Sequence, residues 1–185
     1  MSLNKEHQQR LLELAKSSIQ HGLQTGRPLK INLADFPAEL TESRATFVTL
    51  QKHHQLRGCI GMLEAVRPLA EDIAENAFLA AFKDPRFPPL TDDEFGELEI
   101  HLSLLTPAEP VSFTSEQDLI NQLKPGIDGL ILEQGRRRGT FLPSVWEQLP
   151  VPKQFLRHLK QKAGLASDYW SENIRIYRYR TEMIG

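Results

Sequence analysis

The chain has 185 residues, of which 40% are hydrophobic and 25% charged, with a formal net charge of −2. This is ordinary globular usage, and the length suits one ample domain or two small lobes, since domains commonly run to roughly 100–150 residues. The charge balance offers nothing for nucleic acid or an anionic membrane, and the single cysteine, Cys59, excludes an internal disulfide framework. No apolar run approaches the roughly 20 residues of a membrane-spanning helix. Residues 1–20 lack the apolar core and cleavage site of a signal peptide, so a cytoplasmic location is expected.

Leu11, Leu12, Ala15, Ile19 and Leu23 recur at helical spacing and predict an amphipathic helix from about Asn4, a capping residue, to Leu23, with Gly22 and Gly26 able to end it. After a loop containing Pro28 and Pro37, Ala45–Leu50 is rich in β-branched and aromatic residues and predicts a strand. Gln51–Gln55 reads as a polar connector, and Leu56–Met62 as the strand returning from it, which makes a hairpin. Pro68 opens a helix whose apolar face runs through Leu69, Ile73 and Ala77 towards Phe82, with Pro85 as its stop. Glu71 and Asp72 suit the positive pole of that helix.

Thr91-Asp92-Asp93-Glu94 matches a capping box and predicts a short helix. Leu98, Ile100, Leu102 and Leu104 then alternate with Glu99, His101 and Ser103, a strand with one face on the core. Pro107 and Pro110 break the chain and suggest a lobe boundary. Thr114-Ser115-Glu116-Gln117 reads as a second capping box, and Gly129–Glu133 and Thr140–Leu142 as a second hairpin around Gly135–Gly139. Residues 152–163 predict a helix closed by Gly164, and Ile174–Tyr179 a last strand. Several strands are joined as hairpins, so the fold class is α+β with antiparallel sheet rather than a doubly wound parallel sheet.

The segment Leu56-Arg57-Gly58-Cys59-Ile60-Gly61 departs from this background. Glycine weakens a strand and often marks a bulge or a close approach by ligand or backbone. On a regular strand Arg57, Cys59 and Gly61 share one face, and a guanidinium there would stabilise a thiolate. Spacing leaves two readings open. One is a binding or catalytic site with Cys59 as nucleophile or redox thiol and Arg57 as anion clamp. The other is a small buried cysteine packed in a sheet, since free cysteine is among the most buried residue types.

The hexapeptide resembles the signature of the AMMECR domain family, whose bacterial and archaeal members are called AmmeMemoRadiSam system protein A. Asp84-Pro85-Arg86-Phe87-Pro88-Pro89, the strand ending Ser103-Leu104-Leu105-Thr106-Pro107, Gly126–Ile131, Gly139–Pro143 and Lys162-Ala163-Gly164-Leu165 resemble further family motifs in the same order. The resemblance implies two subdomains, each with a mainly antiparallel sheet and flanking helices, and a cleft between them. Residues 1–107 with 171–185 would form the larger and 108–170 a smaller inserted one. It also implies that the hexapeptide faces the cleft, which would take an unknown small molecule or protein. This favours the site reading: Cys59 and Arg57 as catalytic candidates, and Gly58, Ile60, Gly61, Asp84, Arg86 and His101 as ligand-binding candidates. Related sequences often carry an acidic residue where this chain has His101. The resemblance supplies no reaction and no cofactor. The family name reflects recurring association with Memo-type and radical SAM proteins, which makes them partner candidates, with a non-catalytic role in such an assembly as the alternative function.

Other motifs have blander explanations. His53 and His54 fall in the hairpin connector and point apart, poor geometry for one metal. Arg136-Arg137-Arg138 reads as a solvated hairpin tip. There is no phosphate-binding glycine loop, paired zinc motif or nucleophile elbow, so no metal site is expected.

Overall fold

The computed structural model describes residues 2–185. The fold is mixed α+β with two four-stranded antiparallel sheets. The chain divides into two compact units, one taking the chain up to Leu105 together with Glu182–Gly185, the other Thr106–Thr181.

In the first unit, α1 spans Lys5–Thr25. Asn4 caps it by accepting the His7 N–H, and Gly26 ends it in a left-handed conformation, its N–H bonded to the Gly22 carbonyl. Strands β1 (Thr46–Lys52) and β2 (Gln55–Gly61) form the expected hairpin. The turn is tighter than the polar connector suggested: His53 and His54 alone make it, both with positive φ (51° and 62°). Helix α3 (Leu69–Phe82) follows, after a short α2 (Ala38–Thr41) that precedes β1. The capping box at Thr91 and Glu94 opens α4 (Asp92–Phe95), and β3 runs Leu98–Leu105.

The sheet order is β2-β1-β3-β8, where β8 (Thr181–Ile184) is a C-terminal strand the sequence pattern did not reveal. Helices α1 and α3 supply Leu11, Ala15, Ile19, Ile73 and Ala77 to a core shared with Val48, Leu50, Leu102 and Leu104. Asp72 does more than complement the α3 dipole. It is buried, and its carboxylate accepts from Thr46 Oγ1 (2.6 Å), Asn76 Nδ2 (3.0 Å) and Arg67 Nε (2.9 Å), tying α3 to β1. Burying that charge is tolerable only because it is paired and hydrogen-bonded.

The second unit holds β4 (Glu109–Pro110), α5 (Glu116–Gln122), β5 (Gly129–Gln134), β6 (Arg137–Phe141), α6 (Pro152–Lys162) and β7 (Arg175–Tyr179), with sheet order β4-β7-β5-β6. Two sequence expectations need revision here. Segment 171–181 lies in this unit and not with the first, because β7 pairs along β5 from Gly129↔Tyr179 to Glu133↔Arg175. The cap of α5 is Ser115, which accepts the Asp118 N–H, while Thr114 donates to Asp118 Oδ2. The arginine run is solvated, as expected: Arg136, Arg137 and Arg138 are all exposed, with Arg137 donating to the Gly164 carbonyl and Arg138 pairing with Glu133 at 3.2 Å.

The core of this unit is built on Trp146, which stacks on Phe155 with ring centroids 3.7 Å apart and donates to the Asp128 carbonyl at 2.8 Å. Leu119, Leu130, Leu132, Leu159 and Ile176 surround it. Tyr179 is buried with its hydroxyl beside Thr140 Oγ1 (3.0 Å) and the Phe141 carbonyl (3.1 Å), and burial pushes its pKa up to about 12.

Candidate functional site

The hexapeptide is β2, the edge strand of the first unit's sheet. Its register against β1 is interrupted: Leu50 faces Gly58 while Gln51 faces Leu56, so Arg57 is an extra residue without a partner, a β-bulge. The bulge overturns the expectation that Arg57 and Cys59 point the same way. Gly58 faces α3, and Cys59 faces the opposite side of the sheet, where it lies across from Thr49.

Arg57 is buried and committed elsewhere. Its Nε and Nη2 donate to the two carboxylate oxygens of Glu94 at 2.9 and 3.1 Å, and Nη2 also donates to the Pro88 carbonyl at 2.8 Å. This two-pronged geometry is the one guanidinium and carboxylate match best. The hydrogen bonds from Arg57 lower the Glu94 pKa to about 2, against the opposing effect of burial, with the Thr91 N–H adding to the lowering. Glu94, legible in the sequence only as a helix cap, is thus also the counter-ion of the hexapeptide arginine.

The two glycines are explained by packing. A Cβ on Gly58 would lie 2.1 Å from the Ala80 carbonyl oxygen of α3, and one on Gly61 would lie 2.2 Å from the Thr46 carbonyl oxygen. The close approach that they permit is to the protein's own backbone. Ile60 packs against the first unit's core.

The Asp84–Pro89 segment lies along the free side of β2. Asp84 is buried, and its Oδ2 accepts the Cys59 backbone N–H at 3.0 Å. Arg86 donates to the Cys59 carbonyl at 3.4 Å and to Asp84 at 2.7 Å. In an antiparallel pair, a residue whose N–H and C=O point away from the neighbouring strand sits close to its opposite number. Cys59 is such a residue, and its Sγ lies 3.3 Å from Thr49 Oγ1. The Asp84 carboxyl is held well below the usual carboxylate range, chiefly by the Arg86 hydrogen bond, with burial opposing and the backbone N–H groups of Cys59 and Arg86 assisting. Arg86 is itself held more firmly protonated, first by Asp84 and to a lesser degree by Cys59. The cation bonded to Cys59 is therefore Arg86, through the Cys59 carbonyl, with its side chain half exposed, rather than Arg57.

His101 of β3 lies opposite Thr49 on its other flank, so Cys59, Thr49 and His101 form one row across three strands on the face turned away from α1 and α3. Cys59, Thr49 and His101 are each half-buried. His101 Nε2 is shielded from solvent, has no hydrogen-bond partner and lies 3.9 Å from Glu99 Oε2. Sequence reading missed Thr49. Its signal is the hairpin register, which a two-residue turn alone would have set to Thr49↔Gly58; the bulge shifts it by one to Cys59. Among the described residues, no group of three or more His, Cys, Asp or Glu side chains is placed to hold a metal ion, and no helix is long and apolar enough to cross a membrane.

Comparison with known proteins agrees with this fold. The AMMECR1 family model matches residues 12–184. A protein of Methanothermobacter thermautotrophicus is 35% identical over 187 residues, covering 98% of this chain and 95% of its own length. One of Methanocaldococcus jannaschii is 40% identical over 162 residues, covering 83% of this chain and 79% of its own. The crystal structure of an uncharacterized protein from Pyrococcus horikoshii superposes with a TM-score of 0.89 at 34% identity, covering 98% of this chain and 92% of that one. The chain belongs to the AMMECR1 family.

Proposed function

We propose that the protein binds a small ligand or substrate on the outer sheet face of the first unit, with Cys59 as its reactive thiol. The observation that carries this reading is the setting of Cys59. Its backbone is held from the free side of the strand by Asp84 and Arg86, while its Sγ stays half-buried beside Thr49 Oγ1 at 3.3 Å. A group whose backbone is fixed by surrounding hydrogen bonds is preorganised for chemistry. The neighbouring Arg86, half exposed and bonded to the Cys59 carbonyl, places a cation beside the site that an anionic or polarised ligand could use. Arg57 serves by anchoring the bulge to Glu94. The test is alkylation of Cys59 by iodoacetamide in native and in urea-unfolded protein, located by peptide mass. Modification of the native protein at a rate comparable to the unfolded chain supports the reading; modification only after unfolding overturns it.

A second reading, a non-catalytic interaction partner for Memo-type or radical SAM proteins, is favoured by a different observation. Leu56 (44% exposed), Met62 (38%) and Val66 (59%) leave apolar side chains open at and just beyond the two ends of β2. Co-purification that survives Leu56→Ser with Met62→Ser would count against that surface.

A further inference from the structure

We propose that Thr49 and His101 form a proton relay with Cys59, in which His101 takes the thiol proton and the Thr49 hydroxyl passes it. This rests on the reading of Cys59 as the reacting group.

The register places the parts. Thr49 is the direct partner of Cys59 on one side and of His101 on the other, so all three side chains stand on one face. Neighbouring strands lie about 4.8 Å apart, which separates the Cys59 and His101 backbones by roughly 10 Å. Direct proton transfer needs heavy atoms within about 2.6–3.2 Å. The Thr49 hydroxyl is the polar side-chain group between them, and it already touches Cys59 Sγ at 3.3 Å.

His101 carries an unsatisfied ring nitrogen. Its Nε2 is closed off from solvent and has no hydrogen-bond partner, a condition that is unfavourable for a shielded polar group. A proton arriving from Thr49 would occupy that nitrogen. Glu99 lies on the same face of β3 with Oε2 3.9 Å from Nε2. Glu99 is shared with His54, whose Nδ1 lies 3.5 Å from Oε1. Thr49 and His101 are not hydrogen-bonded in the resting structure, and contacts of this kind commonly tighten only when a substrate is bound.

The step balances without a further reactant. The Cys59 S–H proton moves to Thr49 Oγ1 as the Oγ1 proton moves to the imidazole. The electron pair left on sulfur attacks an electrophilic carbon, and the leaving group departs with its bonding pair. With iodoacetamide the S–C bond forms, the C–I bond breaks and iodide leaves.

The experiment is the rate of iodoacetamide alkylation of Cys59 at pH 7 in the full chain. In His101→Ala the rate is expected to fall on the order of tenfold, a modest share of what a positioned base contributes, and free imidazole to restore it. Thr49→Val is expected to fall similarly, while Thr49→Ser, which keeps the hydroxyl, stays near wild type. An unchanged rate in His101→Ala overturns the relay and leaves the reactive thiol standing. A slow His101→Ala that imidazole does not rescue, or a Thr49→Ser as slow as Thr49→Val, also overturns it. If His101→Ala fails to fold, the Thr49 pair decides alone. A native wild-type thiol that does not react at all removes the parent reading instead.

Discussion

Arg57 and Glu94 meet in a two-pronged ion pair, 2.9 and 3.1 Å long, that joins the bulge of β2 to the first turn of α4. The arginine side chain is 9% exposed and the glutamate 17%. Arg57→Lys keeps the charge and loses the fork, so it is expected to destabilise the fold by about 1–2 kcal/mol. Arg57→Leu, which strands the Glu94 charge, should cost more, and Arg57→Leu with Glu94→Leu less than the sum of the single changes. Urea unfolding of the four proteins measures this. A vanishing coupling energy would show that the pair serves only to place side chains.

Asp84 and Glu94 both have depressed pKa values, Glu94 at about 2. Groups of this kind contribute stability above their unfolded pKa, near 4, and lose it as pH falls through the folded value. Stability is therefore expected to decline from about pH 4 downwards. Glu94→Gln removes part of that dependence, and a urea midpoint series between neutral pH and pH 2 would show a flatter curve. An identical slope in the variant would mean that other carboxylates dominate.

Asp84→Ala leaves the Cys59 N–H without its acceptor and the Arg86 guanidinium with the Cys59 carbonyl in place of a carboxylate. The expected loss is about 2–3 kcal/mol, below the value for a fully buried pair because Arg86 is 54% exposed. Hydrogen exchange at the Cys59 amide should quicken more than exchange in β1. Equal protection in both forms would contradict the geometry.

Gly58→Ala forces a methyl group against the Ala80 carbonyl. Overpacking of this kind costs about 1–3 kcal/mol, and here backbone, not a flexible side chain, must give way. Thermal unfolding should show it. A neutral result would imply that β2 and α3 separate easily.

His53 and His54 both adopt a left-handed backbone in a two-residue turn that favours an asparagine followed by a glycine. The double change His53→Asn with His54→Gly is expected to stabilise the protein by roughly 1 kcal/mol, since left-handed φ costs ordinary residues about that much each. The exposed contacts His53–Glu97 (3.6 Å) and His54–Glu99 (3.5 Å) would be lost at small cost. A drop in Tm would show that those contacts outweigh the turn.

Local chemistry was readable in this chain and non-local geometry was not. Alternation at Leu98–Leu104, the Asn4 and Thr91 caps and the proline stop after α3 follow from a few neighbouring residues, and each appears where expected. The bulge at Arg57 depends on how β2 fits over Ala80, a contact 22 positions along the chain. Without it, neither the divergence of Arg57 from Cys59 nor the meeting of Thr49 with Cys59 can be inferred. Likewise Ile174–Tyr179 reads as a strand, but its partner β5 is named by nothing nearby in sequence. Strands β4 and β8 are too short for periodicity to register.

Side chains that hold Cys59 also decide where the sheet stops. Asp84 offers an acceptor and Arg86 a donor at the positions where a further strand would present its carbonyl and amide. Together they act as a counterfeit strand one residue long. Unprotected sheet edges invite pairing with another chain, and here the invitation is withdrawn at the cysteine. The same two side chains that hold the Cys59 backbone thus also cap this point of the sheet edge, and Asp84→Ala would uncover an unpaired amide there.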